Sequence, residues 1–466
     1  MKDQAGNKTA KSASNSHSKI DSQISNQDTF KRPDPWVETG RNIELGTPGK
    51  AIRAVTIGID FGTAFTKASV GMVGKIFIVN WSGTKKGDDE FVLPGLFSVL
   101  GNSSCVLGHA PTAKSILKEL KQPFLSNNPS ELDIAKAAVF LSLVIRYIRA
   151  WVYQHHASLV MDKRLVWSLN LGIPSKPYEN QNLQNIYKNL ALIAWRLSYQ
   201  SKPITLTTAL HAVTDLTITQ KDHLESIDII PEFVAQIASY IRSPQRQMDL
   251  HMLMDIGAGT VDVATFNVWQ RDGEDIFPIF SSMVEPLGTH FLMQKRLDLI
   301  STGKKSTNWD DFSPVLPSTA FSKQFGTRRS RIDACDDEHA NQVAVVIKRV
   351  LHETRLRRYP SSRKWESGIR LFFCGGGSSC EVFSSALDRA ANFSQVSILK
   401  TLLPIPMNIE AKGLLSKDYH RVAVAYGLGL YAADLGKIIP VADVPDVEPL
   451  PSTCTKQSDR DELYPK

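Results

Sequence analysis

The segment Leu253 to Val268, LMDIGAGTVDVATFNV, restricts what this chain can fold into more than any other stretch. An apolar run ends in Asp255, a Gly-Ala-Gly-Thr turn follows, and Val261-Asp262-Val263 resumes the alternation. This pattern predicts a β-hairpin with an acidic residue at the mouth of each strand. Gly257 and Gly259 permit positive φ and leave no side chain in the way, so successive N–H groups, that of Ala258 included, can converge on an anion while Thr260 adds a hydroxyl. Two carboxylates beside phosphate groups repel them unless Mg²⁺ sits between, and Mg²⁺ prefers a few carboxylates acting through retained waters. The expected ligand is a magnesium nucleotide.

Glycine-rich hairpins capped by aspartate also occur as ordinary tight turns, and repetition is what separates the two readings. Ile57 to Val70, IGIDFGTAFTKASV, repeats the grammar: an apolar strand, Asp60, then Gly62-Thr63-Ala64-Phe65, then a return strand carrying Lys67. A third element, Leu371 to Ser379, LFFCGGGSS, is an apolar strand that runs into Gly375, Gly376, Gly377 and Ser378, with a helical pattern from Glu381.

In their order these three elements resemble the phosphate-1 loop, phosphate-2 loop and adenosine motif of the actin-like ATPase superfamily, which includes actin, the DnaK-type seventy-kilodalton heat-shock chaperones and the sugar kinases. The likeness is closest to the chaperone ATPase domain and covers about residues 54 to 436. It implies an α/β, two-lobed fold of duplicated ribonuclease-H-like domains with a nucleotide cleft between them. The implied division is a disordered arm over 1–50, lobe I over 51–230, lobe II over 231–418, a returning C-terminal helix over 419–440 and a disordered tail over 441–466. By the same resemblance Asp255 holds a hydrated Mg²⁺, Asp60 is a second metal-water ligand, and Asp262 orients or deprotonates the attacking water. Thr63 and Thr260 bind phosphate, Gly288 opens the helix after the second loop, and the glycines 375–377 pack against the nucleoside. Ile229 to Tyr240, IIPEFVAQIASY, is similar to the helix that crosses between the lobes; Glu232 then orients a metal-bound water, or is only a helix-start acid favoured by the dipole. The family also places a lysine near the γ-phosphate. Lys114, Lys118 and Lys121 lie in the right stretch, and no pattern selects one.

Composition sets bounds on this reading. The 466 residues suffice for two or more domains, and 42% hydrophobic with 8% aromatic residues is ordinary for a globular chain. The longest apolar stretch, Ala137 to Ile145, is too short to span a bilayer, and the N-terminus lacks a charged-then-apolar signal pattern, so a cytoplasmic location is expected. Cys105, Cys335, Cys374, Cys380 and Cys454 form no CxxC pair, which suits reduced thiols. Residues 1 to 50 are too polar to bury much surface, and the tail is rich in proline. Basic clusters at Lys323, Arg328, Arg329 and Arg331 and along Gln342 to Arg358, with a net charge of +7, raise nucleic acid as a partner. Stacking aromatics and recognition motifs do not accompany them, so a solvated basic face is the better reading.

Leu132 to Tyr153, Gln342 to Arg358 and Tyr419 to Leu435 are expected helices, and Leu165 to Ile173 an expected strand. The chaperones continue into a peptide-gripping domain, whereas this chain ends about thirty residues after its last expected core helix. The resemblance therefore implies a Mg-ATP-binding, slowly hydrolysing switch acting on an unidentified protein partner or client. A self-assembling filament protein shares every motif, and a small-molecule kinase shares the first loop.

Overall fold

The computed structural model describes residues 51–81, 90–125, 128–174, 178–200, 202–215, 224–300 and 314–447. The expected N-terminal arm and residues 448–466 of the expected tail lie outside them. The protein is α/β, and its described residues form two seven-stranded sheets and a three-stranded one.

The first sheet grows from the hairpin of β1 (Ala51–Phe61) and β2 (Phe65–Met72), followed by β3 (Lys75–Ile78) and the two-residue β4 (Leu93–Pro94) against β2. β5 (Phe97–Leu100), β6 (Cys105–Leu107) and β7 (Ala113–Leu117) form the small sheet. Helix α1 (Glu131–His155) starts at a capping box between Ser130 and Asp133, then leads to β8 (Lys163–Ile173), α2 (Gln181–Tyr199), α3 (Leu206–Thr214) and β9 (Leu224–Pro231). β8 pairs parallel with β1, and β9 parallel with β8.

After α4 (Glu232–Ile241) the same plan recurs. β10 (His251–Ile256) and β11 (Val261–Phe266) form the second hairpin, and β12 (Trp269–Arg271) and β13 (Glu274–Glu285) extend it antiparallel. α5 (Thr289–Asp298), α6 (Ser318–Phe325) and α7 (Arg329–Glu353) lead to β14 (Ile369–Cys374), parallel to β10. α8 (Glu381–Ser394) leads to β15 (Ile398–Thr401), parallel to β14. The strand orders are β16-β3-β2-β1-β8-β9 and β12-β13-β11-β10-β14-β15, where β16 is Ile409–Glu410; from β3 and from β13 onward the two sheets share one sequence of antiparallel and parallel pairings, and only the edge differs, β16 lying parallel to β3 and β12 antiparallel to β13. β17 (Lys437–Ile439) pairs parallel with β13 in the second sheet.

The period of two fixes what each face carries. Val55, Ile57, Ile59 and Phe61 of β1, with Ala68 and Val70 of β2, pack under α1 and α2. Met252, Met254 and Ile256 of β10 pack under α7 and α8. The other faces meet a third core between the sheets, built from Leu253, Ala264, Phe266 and Phe372 with α4 and α9 (Ala423–Leu428). Asp60, Lys67, Asp255 and Asp262 fall in the alternate register, on the strand faces turned toward this middle layer.

α9 is threaded tightly through that layer. A Cβ on Gly427 would stand 2.0 Å from the Ala235 carbonyl oxygen of α4, and one on Gly71 would stand 2.0 Å from the Gly429 carbonyl oxygen. Ser69 Oγ donates to the Ala425 carbonyl at 2.5 Å, and Asn170 Nδ2 donates to the Leu428 and Leu430 carbonyls.

Three expected elements differ. The segment from Tyr419 to Leu435 is not one helix: 3₁₀ turns at Ser416–Arg421 and Ala432–Leu435 flank the six-residue α9, because the close approaches at Gly427 and Gly429 leave no room for a longer cylinder. α7 begins at Arg329 rather than near Gln342, anchored by buried Ile332, Ala340 and Val343, and its end passes into a π-turn at Thr354–Arg358. Residues 441–447 of the expected disordered tail are ordered: Val444 is buried, its carbonyl accepts from Arg358, and Asp446 pairs with Arg357 at 2.6 Å. Part of the basic cluster is thereby neutralised. The apolar run 137–145 lies inside α1, and no helix among the described residues is long and apolar enough to cross a membrane.

Replacing Gly427 by Ala should destabilise the protein by about 2 kcal/mol or more in urea melts, because the neighbour it meets is backbone that cannot turn aside. Gly101→Ala, where a Cβ meets nothing within 4 Å, is the control and should shift stability by less than about 0.5 kcal/mol.

Candidate functional site

The two acidic hairpins meet. Asp60 stands opposite Lys67 in the β1–β2 register and Asp255 opposite Asp262 in the β10–β11 register. At their tips Gly259 lies against Thr63: a Cβ at 259 would approach Thr63 Oγ1 to 3.0 Å. Ala64 is held by its carbonyl, which accepts from Gly95 N–H at 2.7 Å, and Phe65 pairs with Pro94.

The orientation of the second turn follows from α5. The N–H groups of Gly288, Thr289 and His290 donate to the carbonyls of Gly259, Gly257 and Ala258 at 3.3, 3.1 and 2.8 Å. Gly288 is the N-cap of that helix. In a trans peptide the C=O and the following N–H point in opposite directions, so the N–H groups of Ala258, Gly259 and Thr260 face away from α5. They are the donors a phosphate would need.

Four carboxylates converge behind the tips. Lys67 Nζ donates to Asp60 Oδ2 at 3.0 Å, and Gln236 Nε2 of α4 donates to Asp255 Oδ2 at 2.8 Å. Lys121 Nζ binds Glu232 Oε1 at 2.6 Å. Asp262 has a hydrogen bond with Thr260, yet its Oδ1 is buried without a partner. Burial pushes the Asp262 carboxyl up to about 8, with Asp255 and Glu232 adding to the rise. Asp255 is raised for the same first reason, with Asp60 adding and Gln236 and Lys67 opposing. Glu232 is raised by burial while Lys121 works against the rise. Burial alone would lower Lys121, but Glu232, then Tyr187 and Asp60, hold its ammonium above the usual lysine range. Four carboxylates against two ammonium groups leave the fully ionised cluster at −2.

This surplus suits a divalent cation. Among the described residues no three His, Cys, Asp or Glu side chains are grouped to hold a metal directly. Asp60 and Asp255, each with one oxygen engaged, instead fit a hydrated ion held through its waters.

The third element backs onto the second hairpin. Gly375 has φ +83°, and a Cβ there would stand 2.2 Å from Asp255 Oδ1; one on Gly377 would stand 2.2 Å from Ile256 Cγ2. Both are accounted for by the packing of β14 on β10. Gly376 is exposed with open space above it, and Ser378 beside it is half-buried. The space between the hairpins is small. A cavity of about 20 Å³ lies among Thr63, Ala64, Lys118, Gln122, Gly259 and Phe291, and another of about 20 Å³ among Glu232, Gln236, Asp255, Asp262 and Ser282. Each holds about one water, whereas a nucleotide pocket occupies several hundred Å³. Thr63 and Gly259 must part before phosphates fit between them.

Gln236, Tyr187 and His420 were not singled out by the sequence, and Lys121 was named only as one of three candidate lysines. Lys121 follows β7 in a turn, 111 residues from Glu232, so no local pattern distinguishes it from Lys114 and Lys118. Gln236 carried a usable signal: it lies four residues after Glu232, on the same face of a helix that opens at the acidic cluster. No protein-family model matches the chain, and no curated protein matches it.

Two outcomes follow. Lys121→Met strands Glu232 in a largely buried site and should cost about 3 kcal/mol in chemical denaturation, while Lys121→Met with Glu232→Leu recovers most of it. Asp262 titrates near 3.8 when unfolded and near 8 when folded, so its contribution to stability is complete below about pH 4 and is lost as pH rises through 8. Wild type should therefore lose stability relative to Asp262→Asn as pH is raised from 4 to 8, which melts across that range will measure.

Proposed function

We propose that the chain is a two-lobed, actin-like ATPase in which each seven-stranded sheet with its helices is one lobe, and that it binds Mg-ATP and Mg-ADP between them. The observation that carries the reading is the meeting of two Asp-mouthed hairpins, from equivalent places in two sheets that match over five consecutive strands, over a carboxylate cluster short of positive charge. Phosphates would lie between the N–H groups of the Ala258-Gly259-Thr260 turn and the Gly62-Thr63 turn, with Thr63 and Thr260 adding hydroxyls. Lys67, beside Gly62, and Lys118, which lines the cavity between Thr63 and Gly259, are cations at that position, while Lys121 is bound to Glu232. Magnesium supplies the divalent charge the cluster lacks, with Asp60 and Asp255 receiving its waters.

Hydrolysis then asks one more thing of the chain. A base must take a proton from water held in line with the terminal phosphate, since phosphoryl transfer depends on positioning and charge stabilisation. Asp262 has a free oxygen in the right cluster, and Glu232, steadied by Lys121, is placed to orient the water. With the Asp262 carboxyl held up at about 8, the proton remains on it at pH 7 until nearby positive charge lowers its affinity. Hydrolysis in this site should accordingly be slow. Parting and closing of Thr63 and Gly259 would give ATP and ADP different lobe closures, the means by which a nucleotide switch alters its affinity for a protein partner.

Millimolar Mg-ATP and Mg-ADP should raise the melting temperature, with less effect when EDTA removes magnesium. Slow magnesium-dependent phosphate release should be lost in Asp255→Asn. No thermal shift with either nucleotide would sink the proposal; a shift without phosphate release would leave a nucleotide-binding protein that is not an ATPase.

A further inference from the structure

The second sheet ends at β15, whose one strand partner among the described residues is β14. Ile369 N–H donates to the Ser397 carbonyl at 2.9 Å. In a parallel ladder alternate residues turn both backbone groups toward the same neighbour, so Ser397, Leu399 and Thr401 face β14. Ile398 and Lys400 therefore turn their N–H and C=O groups away from it. No hydrogen bond among the described residues engages those outward groups.

The side chains around this edge are apolar and exposed. Leu399 is 51% exposed, and past the strand Leu402, Ile405 and Met407 are exposed as well. Phe393, at the end of α8, is 74% exposed, with Lys348 Nζ 4.5 Å from its ring centre. Single exposed leucines are common on protein surfaces, but five large apolar side chains within residues 393–407, on both sides of an unpaired strand edge, mark an interaction surface. Leu403 is buried in the middle layer, and Pro404 and Pro406 lack N–H donors, so the length available for strand pairing ends there.

Charge selects the occupant. Lys400 is the one charged residue between Arg389 and Glu410, and it is exposed. Arg370 of β14, opposite Leu399 in the register, is positive too. Pairing this edge with the same edge of a second copy would bring lysine toward lysine, which disfavours self-association. A strand bearing carboxylates gains where a second copy loses.

We infer that the β15 edge docks an extended acidic segment of a partner protein, which joins the sheet as its new outermost strand. The outward backbone groups of Ile398 and Lys400 hold the segment, its alternate apolar side chains cover Leu399 and Leu402, and its carboxylates meet Lys400. This surface goes beyond the nucleotide reading and does not depend on it.

The test is fluorescence anisotropy of a labelled eight-residue peptide of alternating valine and glutamate, titrated with the full chain. Wild type should bind it at least tenfold more tightly than a peptide of alternating valine and lysine, and should not bind the valine–glutamate peptide methylated on every backbone nitrogen. Lys400→Pro removes an outward N–H at an edge position that tolerates proline, and should weaken binding tenfold or more with little change in the urea midpoint. Lys400→Thr, which keeps the N–H but not the charge, should lose only part of the affinity. No binding to wild type at millimolar peptide, equal binding of the lysine or methylated peptides, or undiminished binding in Lys400→Pro overturns the inference. Sedimentation showing a wild-type dimer that Lys400→Pro abolishes would assign the edge to a second copy and overturn it as well. The methylated peptide decides the matter on wild type alone if Lys400→Pro fails to fold.

Discussion

Four carboxylates share one poorly solvated space with two lysines, and much of the surrounding structure is organised by that imbalance. Buried charges of one sign cost several kcal/mol unless neutralised, paired or protonated, and all three remedies are visible. Lys67 and Lys121 pair with Asp60 and Glu232, Gln236 donates to Asp255, and burial pushes the Asp262 carboxyl up to about 8, which favours its protonated form. A cluster left in this condition is ready for a cation, and the N–H groups of the adjoining turn are ready for an anion. The proposed ligand, a magnesium nucleotide, would answer both demands.

The cluster exists because the two sheets present matching faces to a shared middle layer. α4 and α9 fill that layer, and their contacts at Ala235 and Gly427 are backbone against backbone. α4 also brings Glu232 and Gln236 to the cluster from its first two turns. Any change in the separation of the sheets would therefore move Glu232 and Gln236 relative to Asp60 and Asp255. Thr63 and Gly259 also bring the two hairpins together near the site, through turns rather than through core.

Much of this was legible because short-range pattern and long-range placement agree in β-hairpins. A strand's alternation assigns Asp60, Asp255 and Asp262 to one face, and a glycine turn brings paired strand mouths together, so these residues could be read from two segments alone. The α/β class was equally plain in the alternation of apolar strands with amphipathic helices. Lys121 was legible only as one of three lysines, since it sits in a short turn whose partner, Glu232, lies 111 residues away. α7 hid its first half because only a narrow stripe, Ile332 to Val343, is apolar within a polar stretch. The two-residue β16 and three-residue β17 are too short for any period to register.

The claim that this cluster receives magnesium with a nucleotide predicts proton movement as well as binding. The positive charge that binds should lower the affinity of Asp262 for its proton, so association at pH 7 should release protons. Titration calorimetry of Mg-ADP in buffers of different ionisation enthalpy measures that release directly. Binding with net proton release that disappears in Asp262→Asn is the predicted result. Binding with no linked protons, or with the same release in the variant, would contradict the account by placing the ligand away from the cluster.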